Sequence, residues 1–404
     1  MVVIELTRYG PKIDRFLNET STNFNELVTV KRNNLIQING SYDISRLRDL
    51  VIENGETAST ESVDAEFRLS YETAGDEVGV LTAARGRYVP GHPAEAGVGV
   101  RVPELPQADI EAKWGYFDLT RDPVELLDGA YFGVDQEGVF IGINRAGEEV
   151  EKVYKDDWNV NRDFDLDLSK GYVYQITFVY YGYGAVWFEI VDPESERKIT
   201  LHKYIAEGET TFRNSNLKVA ALVTGNENEE FEMFVSGRQF SIVGEPIFRE
   251  RRISHLKTGT SIPAGEWRTI VSARKKENRR PVTITLQSLE IDTNRDLEVE
   301  LRINPELENE SEEDWETPRR HKEDEVSIEV NEVANVVGQN SDGPTGVKIS
   351  SFLVQGGAGP SPRTLAERGL PQELPDEYVI SLLIRNRSEQ SATVTANSTL
   401  VEER

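Results

Sequence analysis

Tyr172–Val191 reads YVYQITFVYYGYGAVWFEIV, and this stretch decides the fold class. Tyr172 to Tyr181 is β-branched and aromatic almost throughout, the composition of a strand. Gly182-Tyr183-Gly184 interrupts it, and Ala185 to Val191 runs back. Two such runs around a Gly-rich loop predict a β-hairpin. Working outward, Ala130 to Phe140 carries Tyr, Phe and Val around a tight Asp135-Gln136-Glu137-Gly138 turn, and Val139 to Ile143 alternates after it. Leu27–Val30, Leu35–Ile38, Ala65–Leu69, Leu217–Val223, Glu230–Val235 and Phe240–Val243 are further short strand candidates. Short strands between polar turns predict a β-sandwich or barrel. Helical periodicity is scarce: only Lys12–Leu17, Ser45–Val51 and a single turn at Thr364–Gly369 read as short helical pieces.

Beyond the charged run Phe248–Arg252 the strand pattern restarts. Thr269–Ala273, Val282–Ile291, Leu297–Ile303, Glu325–Val330, Val347–Val354, Tyr378–Arg385 and Ala392–Val401 give seven strands of a second domain. Its stretch 305–324 is almost wholly polar and reads as a solvated acidic loop, and Gln355–Pro362 as a flexible one. The expected architecture is all-β: two β-sandwich domains in series with few short helices, over 31–248 and 249–404, preceded by an N-terminal arm at 1–30.

The chain has 404 residues, enough for two or three domains. It carries 45 Lys plus Arg (14 Lys, 31 Arg) against 71 Asp plus Glu, a formal net charge of −26. An acidic excess with few Lys suits a surface adapted to molar salt, where the Debye length shrinks to about 3 Å. It disfavours nucleic-acid binding, which needs clustered basic side chains. The absence of Cys excludes disulfides, thiolate zinc sites and cysteine nucleophiles. Four scattered His offer no His-x-x-x-His pair. No window approaches the roughly 18 apolar residues of a spanning helix, and the N-terminus shows no secretory h-region. The expectation is a chain made in the cytoplasm, with no membrane insertion.

Few constellations carry chemistry. Asp163, Asp165 and Asp167 recur at period two and on a strand would share one face, but Leu168 and Tyr174 stand where a calcium loop needs Gly and Glu. They are the only metal candidates, set against a solvated strand edge. Glu290-Ile291-Asp292 suggests the acid strand of some glucan hydrolases, yet Arg295 occupies the position of the third acid. Gly182-Tyr183-Gly184 is no nucleotide fingerprint, and Gly259-Thr260-Ser261-Ile262-Pro263 is no nucleophile elbow. Trp114, Trp158 and Trp187, with Tyr180, Tyr181 and Tyr183, offer faces for stacking on sugar rings. For Trp187 a place in the core is the stronger expectation. Tyr181, Tyr183 and Trp158 are the candidate partner or glycan contacts, Tyr183 foremost because it stands between two glycines. No cofactor is expected.

The motif order resembles a family of virion structural proteins of tailed viruses that carry a concanavalin-like jelly-roll domain. The resemblance runs through Arg87-Tyr-Val-Pro-Gly91, Trp114-Gly-Tyr-Phe-Asp118, Asp128-Gly-Ala-Tyr-Phe-Gly133, Gly138–Arg145, Asp156-Asp-Trp-Asn159, Leu166–Lys170 and Phe178–Phe188, with Ala392-Thr-Val-Thr-Ala396 near the end. It covers roughly residues 30 to 404. It implies a jelly-roll-type first sandwich and a non-enzymatic structural role on the particle surface, as a capsid turret or decoration or as a tail component. The partners it implies are further copies of the chain and other virion proteins, with host surface glycans as candidate ligands. The acidic composition would suit a virus of salt-loving archaea. The competing readings are a lectin-like adhesion module and, behind it, a glycoside hydrolase.

Overall fold

A computed structural model describes all residues except 1–4, 8–9, 13–31, 46, 121–122, 194, 245–249, 277–281, 310, 319–320, 323–325, 339–342, 357–362, 365–373, 375–377 and 404. The chain is all-β. Its only helical pieces among the described residues are 3-10 turns such as Lys155–Asp157, Leu168–Lys170 and Glu312–Asp314. It divides into two compact units, Met1–Ile247 and Phe248–Arg404.

The first unit is a sandwich of two antiparallel sheets. One sheet runs, edge to edge, Glu148–Tyr154, Gly138–Arg145, Leu126–Asp135, Ile110–Leu119, Lys218–Gly225, Glu77–Thr82, Asp49–Asn54. The other runs Arg197–Tyr204, Val186–Asp192, Tyr172–Phe178, Ala94–Arg101, Phe231–Val243, Glu66–Tyr71, Ser59–Val63, and Arg32–Ile38 also pairs with Phe231–Val243. The alternation that marks Tyr172–Val191 as a hairpin also fills the core. Tyr174, Ile176, Phe178, Val186, Phe188 and Ile190 point inward and are buried. They meet Trp114, Tyr116 and Phe132 of the facing sheet. Ring centroids lie 4.9 Å apart for Phe132–Tyr174, 5.1 Å for Trp114–Tyr174 and 5.4 Å for both Phe132–Phe188 and Tyr116–Phe178. Trp187, one residue out of phase, faces away from this core beneath Lys203, so the core placement expected for it does not hold.

Glycines explain the outer face of the first sheet. Gly133 pairs with Phe140, Gly142 with Tyr131 and Gly129 with Phe117 across neighbouring strands. A Cβ on Gly133 would lie 2.3 Å from the Phe140 ring, and one on Gly142 would lie 2.4 Å from the Tyr131 ring. The rings occupy the space over the glycines, which is why small and aromatic residues alternate in Asp128–Gly133 and Gly138–Arg145.

Glu230–Val235 and Phe240–Val243 form one strand rather than two, Phe231–Val243. A bulge between Val235 and Arg238 changes its parity: Met233 and Val235 point inward before it, Arg238, Phe240 and Ile242 after it. Arg238 is thereby turned into the core, where it meets Asp49 of the opposite sheet. Ser45–Val51, expected as a helical piece, instead leads into the strand Asp49–Asn54, whose full length pairs with Glu77–Thr82. Leu27–Val30 and nearly all of Lys12–Leu17 and Thr364–Gly369 fall outside the described residues.

The second unit has one sheet ordered Glu250–Ile262, Ala392–Glu403, Thr283–Thr293, Arg363–Thr364 and another ordered Ile328–Asn331, Trp267–Lys275, Val379–Asn386, Leu297–Ile303, Val347–Val354. All seven expected strands are present. Two more join them: the two-residue Arg363–Thr364, and Glu250–Ile262, which begins inside the charged run and pairs with the last strand from Glu250–Glu403 to Ile262–Ala392. The polar stretch 305–324 is more than a loop. Leu307–Glu308 pairs with Asn335–Val336, and the indole of Trp315 is buried under Arg274, whose guanidinium lies 4.2 Å from the ring centre.

Candidate functional site

The hairpin loop Tyr180–Gly184 is fixed by its own sequence. Tyr181 takes a positive φ of 40° and Gly182 one of 87°. A Cβ on Gly184 would fall 1.3 Å from the Val179 carbonyl oxygen, so only glycine fits there. The Gly184 amide donates to the Tyr180 carbonyl (2.8 Å). Thr211 clamps the loop from outside: its amide donates to the Gly182 carbonyl (2.8 Å) and its hydroxyl to the Gly184 carbonyl (2.8 Å). Tyr180 anchors the base. Its hydroxyl donates to the Phe212 carbonyl (2.6 Å) and its amide to the Tyr88 hydroxyl (3.0 Å).

On this rigid base Tyr181 and Tyr183 stand 58% and 68% exposed. Ile205, just beyond the strand that pairs with Val186, is exposed as well. Two phenolic rings more than half exposed on a braced loop need little further ordering to bind. Their faces suit a sugar ring or a flat apolar partner, and their hydroxyls supply a polar edge.

Trp158 does not join them. It is only 3% exposed, and its indole N–H donates to the Val153 carbonyl (3.2 Å), so it packs the end of the strand Glu148–Tyr154 instead of meeting a partner. Trp114 is wholly buried between the sheets. Asp163, Asp165 and Asp167 lie on an irregular segment, not a strand, so period two does not place them on one face. Asp167 caps the turn Leu168–Lys170 by accepting from the Ser169 amide (3.2 Å) and hydroxyl (2.6 Å). The Asp163 side chain is almost fully exposed. Among the described residues no group of three or more His, Asp or Glu is arranged to hold a metal ion.

Two acid pairs escape sequence reading because only strand pairing brings their members together. Asp118 and Asp128 face each other across neighbouring strands, both buried. Arg85 grips Asp118 with two nitrogens, each at 2.9 Å. Burial pushes the Asp128 carboxyl up, opposed by N–H bonds from Arg213 (2.8 Å) and Ala146 (3.4 Å) and reinforced by the facing Asp118. On the outer face of the other sheet, Lys198 lies between Glu95 (3.0 Å) and Glu189 (2.9 Å). Burial would lower the Lys198 ammonium, but the two carboxylates outweigh it and raise it. Thr177 and Thr200 donate to Glu189, and Arg32 pairs with Glu95 (2.9 Å). These carboxylates, closed off from solvent and engaged by neighbouring cations, hydroxyls or amides, brace the strands that carry them. Glu290, the other acid considered, is exposed and accepts from Asn397 (3.1 Å).

A cleft of about 520 Å³ opens on the first sheet, with Glu111, Asp135, Glu149, Lys113, Lys152 and Tyr154 in its lining. Lys152 bridges Asp135 (2.8 Å) and Glu111 (2.9 Å) while lying 4.1 Å from the Phe140 ring centre. Burial pushes Asp135 up, but the bonds from Lys152 and Tyr154 prevail and hold it below the usual carboxylate range. Burial and the bond to Asp135 push the Tyr154 phenol up to about 12. Lys152 and Lys113 are thus engaged by the acids of the cleft, Lys113 with Glu111, while Glu149 accepts from the Tyr131 hydroxyl (2.7 Å).

No family model and no curated protein matches the chain. Among solved structures it is similar to a protein of unknown function from Shewanella oneidensis, at 10% identity and a TM-score of 0.37 over 60% of this chain and 97% of that one. It is also similar to an endo-1,3-beta-glucanase from Streptomyces sioyaensis (9% identity, TM-score 0.36, 53% of this chain and 97% of that one). A third is lectin II from Ulex europaeus (10% identity, TM-score 0.34, 52% of this chain and 100% of that one).

Proposed function

We propose that this chain is a non-enzymatic structural protein displayed on the surface of a tailed-virus particle, where it assembles with further copies of itself and meets a partner or a host-surface glycan through the loop Tyr180–Gly184. The observation that carries the binding half is the exposure of Tyr181 and Tyr183 on a backbone clamped by Thr211 and Tyr180. The order of sequence motifs, which resembles tailed-virus virion proteins, supports the particle half. The buried acid pairs favour a structural role over hydrolysis, since their carboxylates are engaged by Arg85, Lys198 and backbone amides.

Binding of the full chain to host envelopes and to a glycan array in molar salt tests the contact. Tyr181→Ala with Tyr183→Ala should cut retention at least about tenfold, the worth of roughly 1.4 kcal/mol, with thermal unfolding unchanged. Undiminished binding by the double variant removes the loop from the account. The same array incubated with the wild-type chain and assayed for released reducing ends should show no turnover, and sugar release would restore the hydrolase reading.

A further inference from the structure

Two turns of the first unit demand glycine, and at both the residue before it is asparagine. Asn39-Gly40 and Asn54-Gly55 are the two Asn-Gly pairs of the chain. A Cβ on Gly40 would fall 2.3 Å from the Ala65 carbonyl oxygen. One on Gly55 would fall 2.0 Å from Asp76 Oδ1, and Gly55 also takes a φ of 123°. Asparagine is most open to attack by the next backbone nitrogen on its own side-chain carbonyl when that nitrogen belongs to glycine, because no side chain shields it. The fold therefore keeps a labile pair at both places, since a bulkier second residue does not fit.

The two asparagines are held differently. Asn54 lies on the strand Asp49–Asn54 opposite Glu77, and its Nδ2 donates to Glu77 Oε2 (2.8 Å). The nitrogen that would have to leave is tied to the neighbouring strand. Asn39 is exposed and directly follows the strand Arg32–Ile38. Its Oδ1 accepts from the Ser41 amide (3.0 Å) and from the Ser41 hydroxyl (2.9 Å), which closes an Asx turn. The turn folds the side-chain carbonyl back over the Gly40 peptide. Two donors then point at the oxygen on which negative charge develops when Cγ is attacked, the arrangement that lowers the barrier of acyl transfer. The Asn39 Nδ2 has no protein acceptor among the described residues.

We propose that Asn39 is a modification site, at which the folded chain deamidates itself with water as the only co-reactant, while Asn54 is protected. The Gly40 nitrogen gives up its proton and attacks Asn39 Cγ. The N–Cγ bond forms, the Cγ–Nδ2 bond breaks, and Nδ2 takes up the proton and leaves as ammonia. Water then opens the five-membered succinimide at either carbonyl, leaving aspartate or isoaspartate at position 39. The chain gains one negative charge, and the isoaspartyl form lengthens the backbone by one carbon beside the tight approach of Gly40 to Ala65.

The test ages the full chain at mildly alkaline pH in about 2 M salt. Peptide mapping by mass spectrometry follows the gain of about 1 Da at each asparagine, and enzymatic methylation reads isoaspartate. In the folded chain Asn39 should convert at least about tenfold faster than Asn54, and in the urea-unfolded chain the two should differ by less than about threefold. Ser41→Ala withdraws one donor and should slow Asn39 at least about threefold in the folded chain, with no effect once the chain is unfolded. If Asn39 converts no faster than Asn54 in the folded chain, or is slowed by folding as much as Asn54 is, the assignment is overturned. A Ser41→Ala rate equal to that of the wild type overturns it as well.

Discussion

The contact between Asp49 and Arg238 joins the two sheets of the first unit, and both side chains are wholly buried. Asp49 has other partners: its carboxylate accepts from the Ser45 amide (2.9 Å) and lies 3.5 Å from Arg48. Arg238 is less well served. Burial lowers its guanidinium against the pull of Asp49, and only the Phe67 ring, 5.2 Å from its centre, offers a second favourable contact among the described residues. The two single substitutions should therefore differ. Asp49→Leu leaves a guanidinium in the core without its counter-charge and should cost about 3–5 kcal/mol. Arg238→Met leaves Asp49 with Ser45 and Arg48 and should cost less, about 1–3 kcal/mol. The double variant, apolar on both sides, should return to within about 1 kcal/mol of the wild type or exceed it. For a unit of this size 1 kcal/mol is worth about 2–4 °C, so Asp49→Leu should lower the first unit's midpoint by about 6–20 °C. Calorimetry in 0.5 and 3 M salt is the assay, and the coupling should be equal in both, because a buried pair is hardly screened. If Asp49→Leu costs under about 1 kcal/mol, or the double variant is no better than the worse single one, the pair does not govern the core as described.

Gly133→Ala drives a Cβ to 2.3 Å from the Phe140 ring and should destabilise the first unit by about 1–3 kcal/mol in urea unfolding; no change would mean the ring is free to move. Burial lowers the His202 imidazole, whose Nδ1 accepts from the Asn159 amide (3.3 Å). A base depressed in the folded state stabilises fully above its unfolded pKa of about 6.5 and is lost below it, by at most about 1.4 kcal/mol per pH unit. The unfolding midpoint should thus fall between pH 7.5 and 5.5, and fall less in His202→Asn. With a net charge of −26, the wild-type midpoint should rise steeply from about 0.1 to 2 M salt as repulsion is screened; a flat or falling midpoint contradicts the expectation of a surface suited to molar salt.

The all-β class was legible wherever a strand had to fill a core on one face. Tyr172–Phe178 and Val186–Asp192 alternate because Tyr174, Phe178 and Phe188 meet Trp114, Tyr116 and Phe132 across the sandwich. Composition without phase misplaced Trp187, which one step of the same alternation sends outward. The bulge at Ser236-Gly237 reverses parity mid-strand, and nothing in a linear pattern announces that Arg238 thereby enters the core. Glu250–Ile262 was hidden because it buries only Ile253, His255 and Ile262, while charged and hydroxyl side chains and the exposed Leu256 stand between them. The spacing of Leu47, Leu50 and Val51 imitates a helix, and only pairing with Glu77–Thr82 makes a strand of it. At the candidate site the exposure of Tyr183 followed from its glycine neighbours. Its rigidity did not, since Thr211 and Phe212 arrive from a distant loop. Trp158 sits in a motif that looks exposed, yet the strand before it folds the indole inward.

The central claim is that the chain is displayed on a virus particle, and immunolabelling of intact purified particles tests it most directly. Antibodies raised against the folded chain in molar salt should decorate the particle surface, and the chain should be a multi-copy component of the same particles by quantitative mass spectrometry. Particles that bind no antibody and contain none of the chain would contradict the account and leave a free lectin-like adhesion protein in its place.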